Sequence, residues 1–206
     1  MTVAALPELH PVVEIRSVEE SPPWLIADLE PLSFIRLSGG MTFTEVGSVM
    51  AHLVSYNSIE AEPTARGLLS GAVAAEGLIL PGGIQVSEGK RAISPRCCCG
   101  LEGWREWLAG MESTESPWMG HDPMPWIEWD GDTVRVWSDS GPNTGAFAIE
   151  FERGRFAAEL VRVEAELRAF LRRVAAWAQE VGFPDPTAVC RKLDACFHIT
   201  EVIGPE

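Results

Sequence analysis

Three adjacent cysteines, Cys97, Cys98 and Cys99, are the residues here most suited to chemistry, with Cys190, Cys196, His121 and His198 as candidate partners. Thiolate and imidazole are the usual ligands of zinc, and Cys97, Cys99, Cys190, Cys196 and His198 would supply a tetrahedral set. The spacing works against that set. Neighbouring residues on a strand point to opposite faces, so within the run only Cys97 and Cys99 would share one. Neither cysteine group has the short ligand spacing of a zinc knuckle. A second chemistry is nucleophilic: Cys99 precedes Gly100 at the expected start of a helix, where the positive end of the dipole favours a thiolate. Arg96 would help, and the base would be His121 or His198. No hydrolase motif surrounds them, so the expectation is reduced, buried cysteines at the end of a strand and no catalytic residue.

A third chemistry is recognition. Six of the eight tryptophans fall between positions 104 and 137, and residues 101–152 carry 11 acids against 2 bases. Tryptophan is enriched where proteins bind one another. Trp104, Trp107, Trp126, Glu128, Trp129, Asp130, Asp132 and Trp137 are therefore the candidate binding residues. Gly120-His121-Asp122 with Glu128, Asp130 and Asp132 also suggests a carboxylate and histidine site, but the two aspartates are explained by a turn. Gly82-Gly83 lacks the spacing of a phosphate-binding loop, and no cofactor is expected.

These residues need elements to position them. Trp126–Trp129 and Thr133–Trp137 flank Asp130-Gly131-Asp132, a strong hairpin signal, and Gly145–Phe151 adds a third strand to give a meander over about 125–152. A long helix over about 154–181 follows. Its apolar residues Phe156, Leu160, Val163, Leu167, Phe170, Val174, Trp177 and Val181 form one seam, closed by Gly182 and Pro184. The seam would pack on the meander or pair with a second copy as a homodimer.

Earlier, Thr44-Glu45 starts a helix, and the runs Trp24–Leu29 and Leu32–Leu37 suit two strands or one bent strand. Period does not separate helix from strand between Arg66 and Leu80; the reading taken is helix through Ala75 and strand from Leu78. Ile84–Val86 and Ala92-Ile93 make a hairpin, and Gly100–Ala109 a short helix carrying Trp104 and Trp107. The first 23 residues form an irregular lead-in, and the tail holds a short helix near Leu193 and a last strand over 197–203. The fold class is α+β in a single domain of 206 residues, an antiparallel sheet packed against a long helix.

Net charge is −14, which disfavours nucleic acid as a partner. No apolar run is long enough to span a membrane, and no signal peptide is evident, so a cytoplasmic location is expected.

The run Cys97-Cys98-Cys99-Gly100-Leu101-Glu102, with Trp104-Arg105-Glu106-Trp107, Gly120-His121-Asp122-Pro123 and Pro125-Trp126, resembles a family of uncharacterised bacterial proteins. That resemblance covers the middle of the chain and carries no chemistry. In layout the chain is also similar to the small, acidic, tryptophan-bearing immunity proteins of bacterial toxin systems. This similarity implies a protein-binding, non-enzymatic antagonist of a basic toxin. The alternative is a thiol- or zinc-dependent enzyme using the Cys97–Cys99 run.

Overall fold

The computed structural model describes residues 5–16, 21–140 and 145–200. The protein is α+β and forms two compact units, one from residues up to 12 with 81–165, the other from 13–80 with 166 onward. Length alone favours one domain. The boundary between the two units falls within the first strand and within the longest helix.

In the first unit, strand β1 (Glu8–Ile15) lies beside β3 (Gly82–Glu88), which pairs antiparallel with β4 (Arg91–Ile93). β1 stands within the first 23 residues, which Pro11, Pro22 and Pro23 marked as an irregular lead-in. Pro11 donates no hydrogen bond, but Leu9, Val12, Val13 and Ile15 are all buried, and that burial outweighs the lost donor. The meander appears as expected: β5 (Trp126–Asp130), β6 (Thr133–Trp137) and β7 (Ala148–Glu152), with Trp126 opposite Trp137 and Arg135 opposite Glu150.

Alternation then sorts the faces. Ile127, Val134, Val136, Ile149 and Phe151 are buried on the inner one. Helix α4 (Arg153–Glu180) begins where Arg153 N donates to Asp132 O at 2.8 Å. Its Phe156 is fully buried and meets Trp107, Trp129 and Phe151, with ring centroids 6.1, 5.6 and 5.2 Å away. Each such ring pair is worth about 1 kcal/mol beyond the buried area. Glu159 ties α4 to β1 by accepting from Leu9 N at 3.1 Å and from Arg162 at 2.6 Å. Burial opposes its ionisation, yet those bonds and the Arg155 charge hold its carboxyl below the usual range.

In the second unit, β2 (Ser33–Arg36) lies beside β1, and α1 (Phe43–Tyr56) opens on a capping box, Thr42 with Glu45. Of the two apolar runs only the second contains a strand. Trp24–Leu29 is tied down instead by Trp24 Nε1 donating to Gly47 O at 2.9 Å and Ala27 N to Thr44 O at 3.1 Å. Gly47 permits this, since a Cβ there would lie 2.2 Å from Leu25 O. The rest of α4 brings Trp177 edge-on to Trp24, centroids 5.2 Å apart.

Helix α2 (Ala65–Ala74) matches the helical reading of that stretch and packs on α5 (Pro186–Phe197). The strand expected from Leu78 does not form before Gly82. The side-chain amide of Asn57 mimics a strand neighbour, accepting from Ile79 N and donating to Ile79 O, both at 2.8 Å. In the tail Phe197 is helical and His198, at φ 50, closes α5, so the expected strand does not begin there; residues 201–203 lie outside the described residues.

The α4 seam is buried from Phe156 to Trp177. These residues form the packed side of the helix within the chain. His52 on α1 is also buried, and its Nε2 has no hydrogen-bond partner. No described helix is long and apolar enough to cross a membrane.

Candidate functional site

Beyond β4 the chain passes Pro95 into the cysteines, and two backbone bonds dock it on a later loop. Arg96 N donates to Met119 O at 2.9 Å and His121 N to Cys97 O at 3.4 Å, making an antiparallel bridge between Cys97 and His121. Residues opposed in this way send their side chains to one face. Gly120 makes the approach feasible. Its φ is 90°, and a Cβ there would lie 2.6 Å from the Arg96 carbonyl carbon.

Cys98 has φ 66°, the left-handed region, so strand alternation stops at this residue. Its sulfur turns back to within 3.4 Å of the Cys97 sulfur. The ligand atoms of Cys97, Cys98 and His121 all lie within 4.8 Å of one another. His121 Nδ1 is 2.9 Å from Asp122 Oδ2, and Trp118 Nε1 donates to Cys98 O at 3.0 Å. Both cysteines are exposed, and Trp118 is 46% exposed beside them.

Cys99 takes a different course. Its thiol lies 3.6 Å from Trp118 O, and burial, then the charges of Glu102 and Glu106, push it up to about 12. It therefore stays protonated at neutral pH. The helix dipole invoked for it is weak, because the segment opens as a 3-10 turn (Leu101–Arg105) before α3 (Glu106–Ser113). Cys190, Cys196 and His198 belong to α5 and its cap in the other unit. Cys190 donates to Leu171 O at 3.1 Å, and burial raises its thiol. The ligand group among the described residues contains none of these four residues.

The candidate binding residues also separate. Trp104 and Trp107 are 0% and 3% exposed, so these two are core. Trp129 faces inward, its Nε1 donating to Glu115 O at 3.2 Å and the Arg153 guanidinium 5.5 Å from its ring. Trp126 and Trp137 share the outer face of the meander, half-buried and stacked at 6.3 Å with 10° between planes. Glu128 Oε2 accepts from Trp137 Nε1 at 2.9 Å. Arg135 stands among carboxylates, 3.2 Å from Asp130, 3.2 Å from Glu150 and 3.6 Å from Glu128. Asp132 is exposed in the turn next to this face.

No family model, curated protein or solved structure matches this chain. The geometry gives two places on the first unit, an aromatic and acidic sheet face and a corner of two thiols and an imidazole. Arg135 and Glu150 were not singled out by the sequence for the sheet face, while Cys98 stood in the cysteine run but outside the expected ligand set and Asp122 in a histidine and carboxylate reading set aside as loop chemistry. Strand register against β7 was the available signal for Arg135 and Glu150, whereas nothing local announces the turn at Cys98.

Proposed function

We propose that the protein is a non-enzymatic binding module that presents the outer face of β5, β6 and β7 to a basic protein. The observation that carries this reading is the Trp126–Trp137 stack beside Glu128, Asp130 and Glu150, with a single guanidinium among three carboxylates. Indole faces next to carboxylates suit lysine and arginine, which gain cation–π contact and charge-assisted hydrogen bonds together. The stacked rings are already ordered by the sheet, so little side-chain entropy is lost on binding. An immunity-type antagonist of a basic toxin, acting in a bacterial cytoplasm, is the partnership the layout resembles.

The test is affinity capture from the source cells, with the wild-type chain and a Trp126→Ala/Trp137→Ala variant as baits, followed by titration of what is captured. A basic protein held by the wild type, released by salt and bound at least about tenfold more weakly by the variant is the expected result. Equal retention by the double variant, with its fold intact by circular dichroism, refutes the assignment. A zinc-dependent activity is the second reading. It is favoured only by the Cys97, Cys98 and His121 geometry, where a metal-bound water rather than Cys99 would be the nucleophile.

A further inference from the structure

We infer that Cys97, Cys98 and His121 form a zinc-binding site with three protein ligands and a fourth position open to solvent. This assignment is independent of the meander face.

The donor set comes first. Two thiols and one imidazole suit a borderline-soft divalent ion such as zinc, whereas magnesium and calcium take oxygen ligands. Distance comes next. Two sulfurs bound to one tetrahedral zinc, each at about 2.3 Å, stand about 3.8 Å apart. They are 3.4 Å apart here, and all three ligand atoms fall inside a 4.8 Å sphere of mutual separation. Ligation would part the two sulfurs by about 0.4 Å.

The shell behind the ligands is also present. Metal-bound histidines commonly give their second ring nitrogen to a carboxylate, which fixes the tautomer and orients the ring. Asp122 Oδ2, 2.9 Å from His121 Nδ1, stands in that place, so Nε2 is the nitrogen that would ligate. The backbone sets up the rest. The bridge from Cys97 to His121 places those two side chains on one face, and the left-handed turn at Cys98 brings the next sulfur to the same side. Without that turn two successive residues of an extended chain could not ligate one ion.

Two exposed thiols and a half-exposed imidazole leave the fourth coordination position to water or a solute. Structural zinc sites are closed by four protein ligands, so this one belongs with the open, exchangeable kind. Binding is a simple exchange. Hydrated zinc gives up bound waters as it forms two zinc–sulfur bonds and one zinc–nitrogen bond, and keeps a water at the fourth position; both thiol protons pass to the buffer, and nothing is oxidised.

The full chain, kept reduced with a phosphine, is titrated with zinc chloride by calorimetry in buffers of different ionisation enthalpy. Parallel samples receive cobalt(II), whose absorption reports thiolate ligation and tetrahedral geometry. The expected result is one ion per chain, close to two protons released, and thiolate-to-cobalt charge transfer. Cys98→Ser and His121→Ala each weaken zinc at least about 100-fold, and Asp122→Asn weakens it about tenfold. Cys99→Ser leaves affinity within about threefold, since its sulfur points to Trp118 O. The inference is overturned if the wild type shows no cobalt–thiolate band and no zinc binding at micromolar concentration. It is equally overturned if Cys98→Ser binds as tightly as wild type, or if Cys99→Ser loses as much as Cys98→Ser. The cobalt spectrum of the wild type decides even where a variant fails to fold.

Discussion

Replacing Gly120 with alanine tests the backbone argument most directly, because Gly131 provides a control in the same unit. Both glycines have positive φ, 90° and 59°, so alanine at either pays the left-handed penalty of about 1–2 kcal/mol. At Gly131 nothing lies within 4 Å of the new Cβ, and the penalty ends there. At Gly120 the Cβ would sit 2.6 Å from the Arg96 carbonyl carbon and 2.7 Å from its oxygen, roughly 1 Å inside the contact distance of carbon atoms. Backbone cannot rotate aside as a side chain does. The loop must lift, which loosens the bonds from Arg96 N to Met119 O and from His121 N to Cys97 O, each worth about 1 kcal/mol. Gly120→Ala is therefore expected to cost about 2 kcal/mol more than Gly131→Ala. Urea unfolding followed by tryptophan fluorescence reads this as a midpoint lower by about 1 M, for a slope near 2 kcal/mol/M. If the two variants are equally destabilised within about 0.5 kcal/mol, the close approach of the two segments is not what the glycine serves.

Two further outcomes follow from the second unit. Thr42→Ala removes a capping box in which Thr42 Oγ1 accepts from Glu45 N at 3.2 Å and Glu45 Oε2 accepts from Thr42 N at 2.6 Å. It should cost about 1 kcal/mol in thermal unfolding while Thr42→Ser stays near neutral; a neutral Thr42→Ala would mean the cap is dispensable. His52 should make stability depend on pH. Burial, reinforced by Arg16 and opposed by Glu14, lowers its pKa below 6.5 in the folded state. The unfolded chain then binds a proton that the folded chain refuses. This contribution is complete above pH 6.5 and is lost as pH falls through the folded value, at no more than about 1.4 kcal/mol per pH unit. His52→Gln should flatten that part of the curve, and an unchanged slope would assign it to other groups.

What the sequence disclosed were the features set by local patterning. Asp130-Gly131 between alternating strands placed the meander, and the spacing of Phe156 to Trp177 placed α4, because period and turn chemistry act over a few residues. Two such arguments failed where distant contacts decided the outcome. Pro11 argued against a strand, yet burial of its neighbours made one. Alternation along a strand argued that Cys97 and Cys98 point apart, and the left-handed Cys98 reversed it. On the candidate face, alternation put Trp126 with Glu128 and Trp129 with Ile127 on opposite faces, but which of the two points outward depended on the side that packs inward, set by contacts such as Trp129 with Phe156. Trp104 and Trp107, on a 3-10 turn and a short helix, could not be oriented without knowing that Phe156 lies over Trp107.

Neither compact unit is specified by one uninterrupted stretch of sequence, and that has a consequence for synthesis. Trp24 is made about 150 residues before Trp177, the ring it closes on and the last of the large core residues of α4. At 5–20 residues per second the interval is about 10–30 s. Over that time α1 and α2 exist without the helices they pack against. A message cut short before codon 177 yields a polypeptide whose second unit has no means of closing.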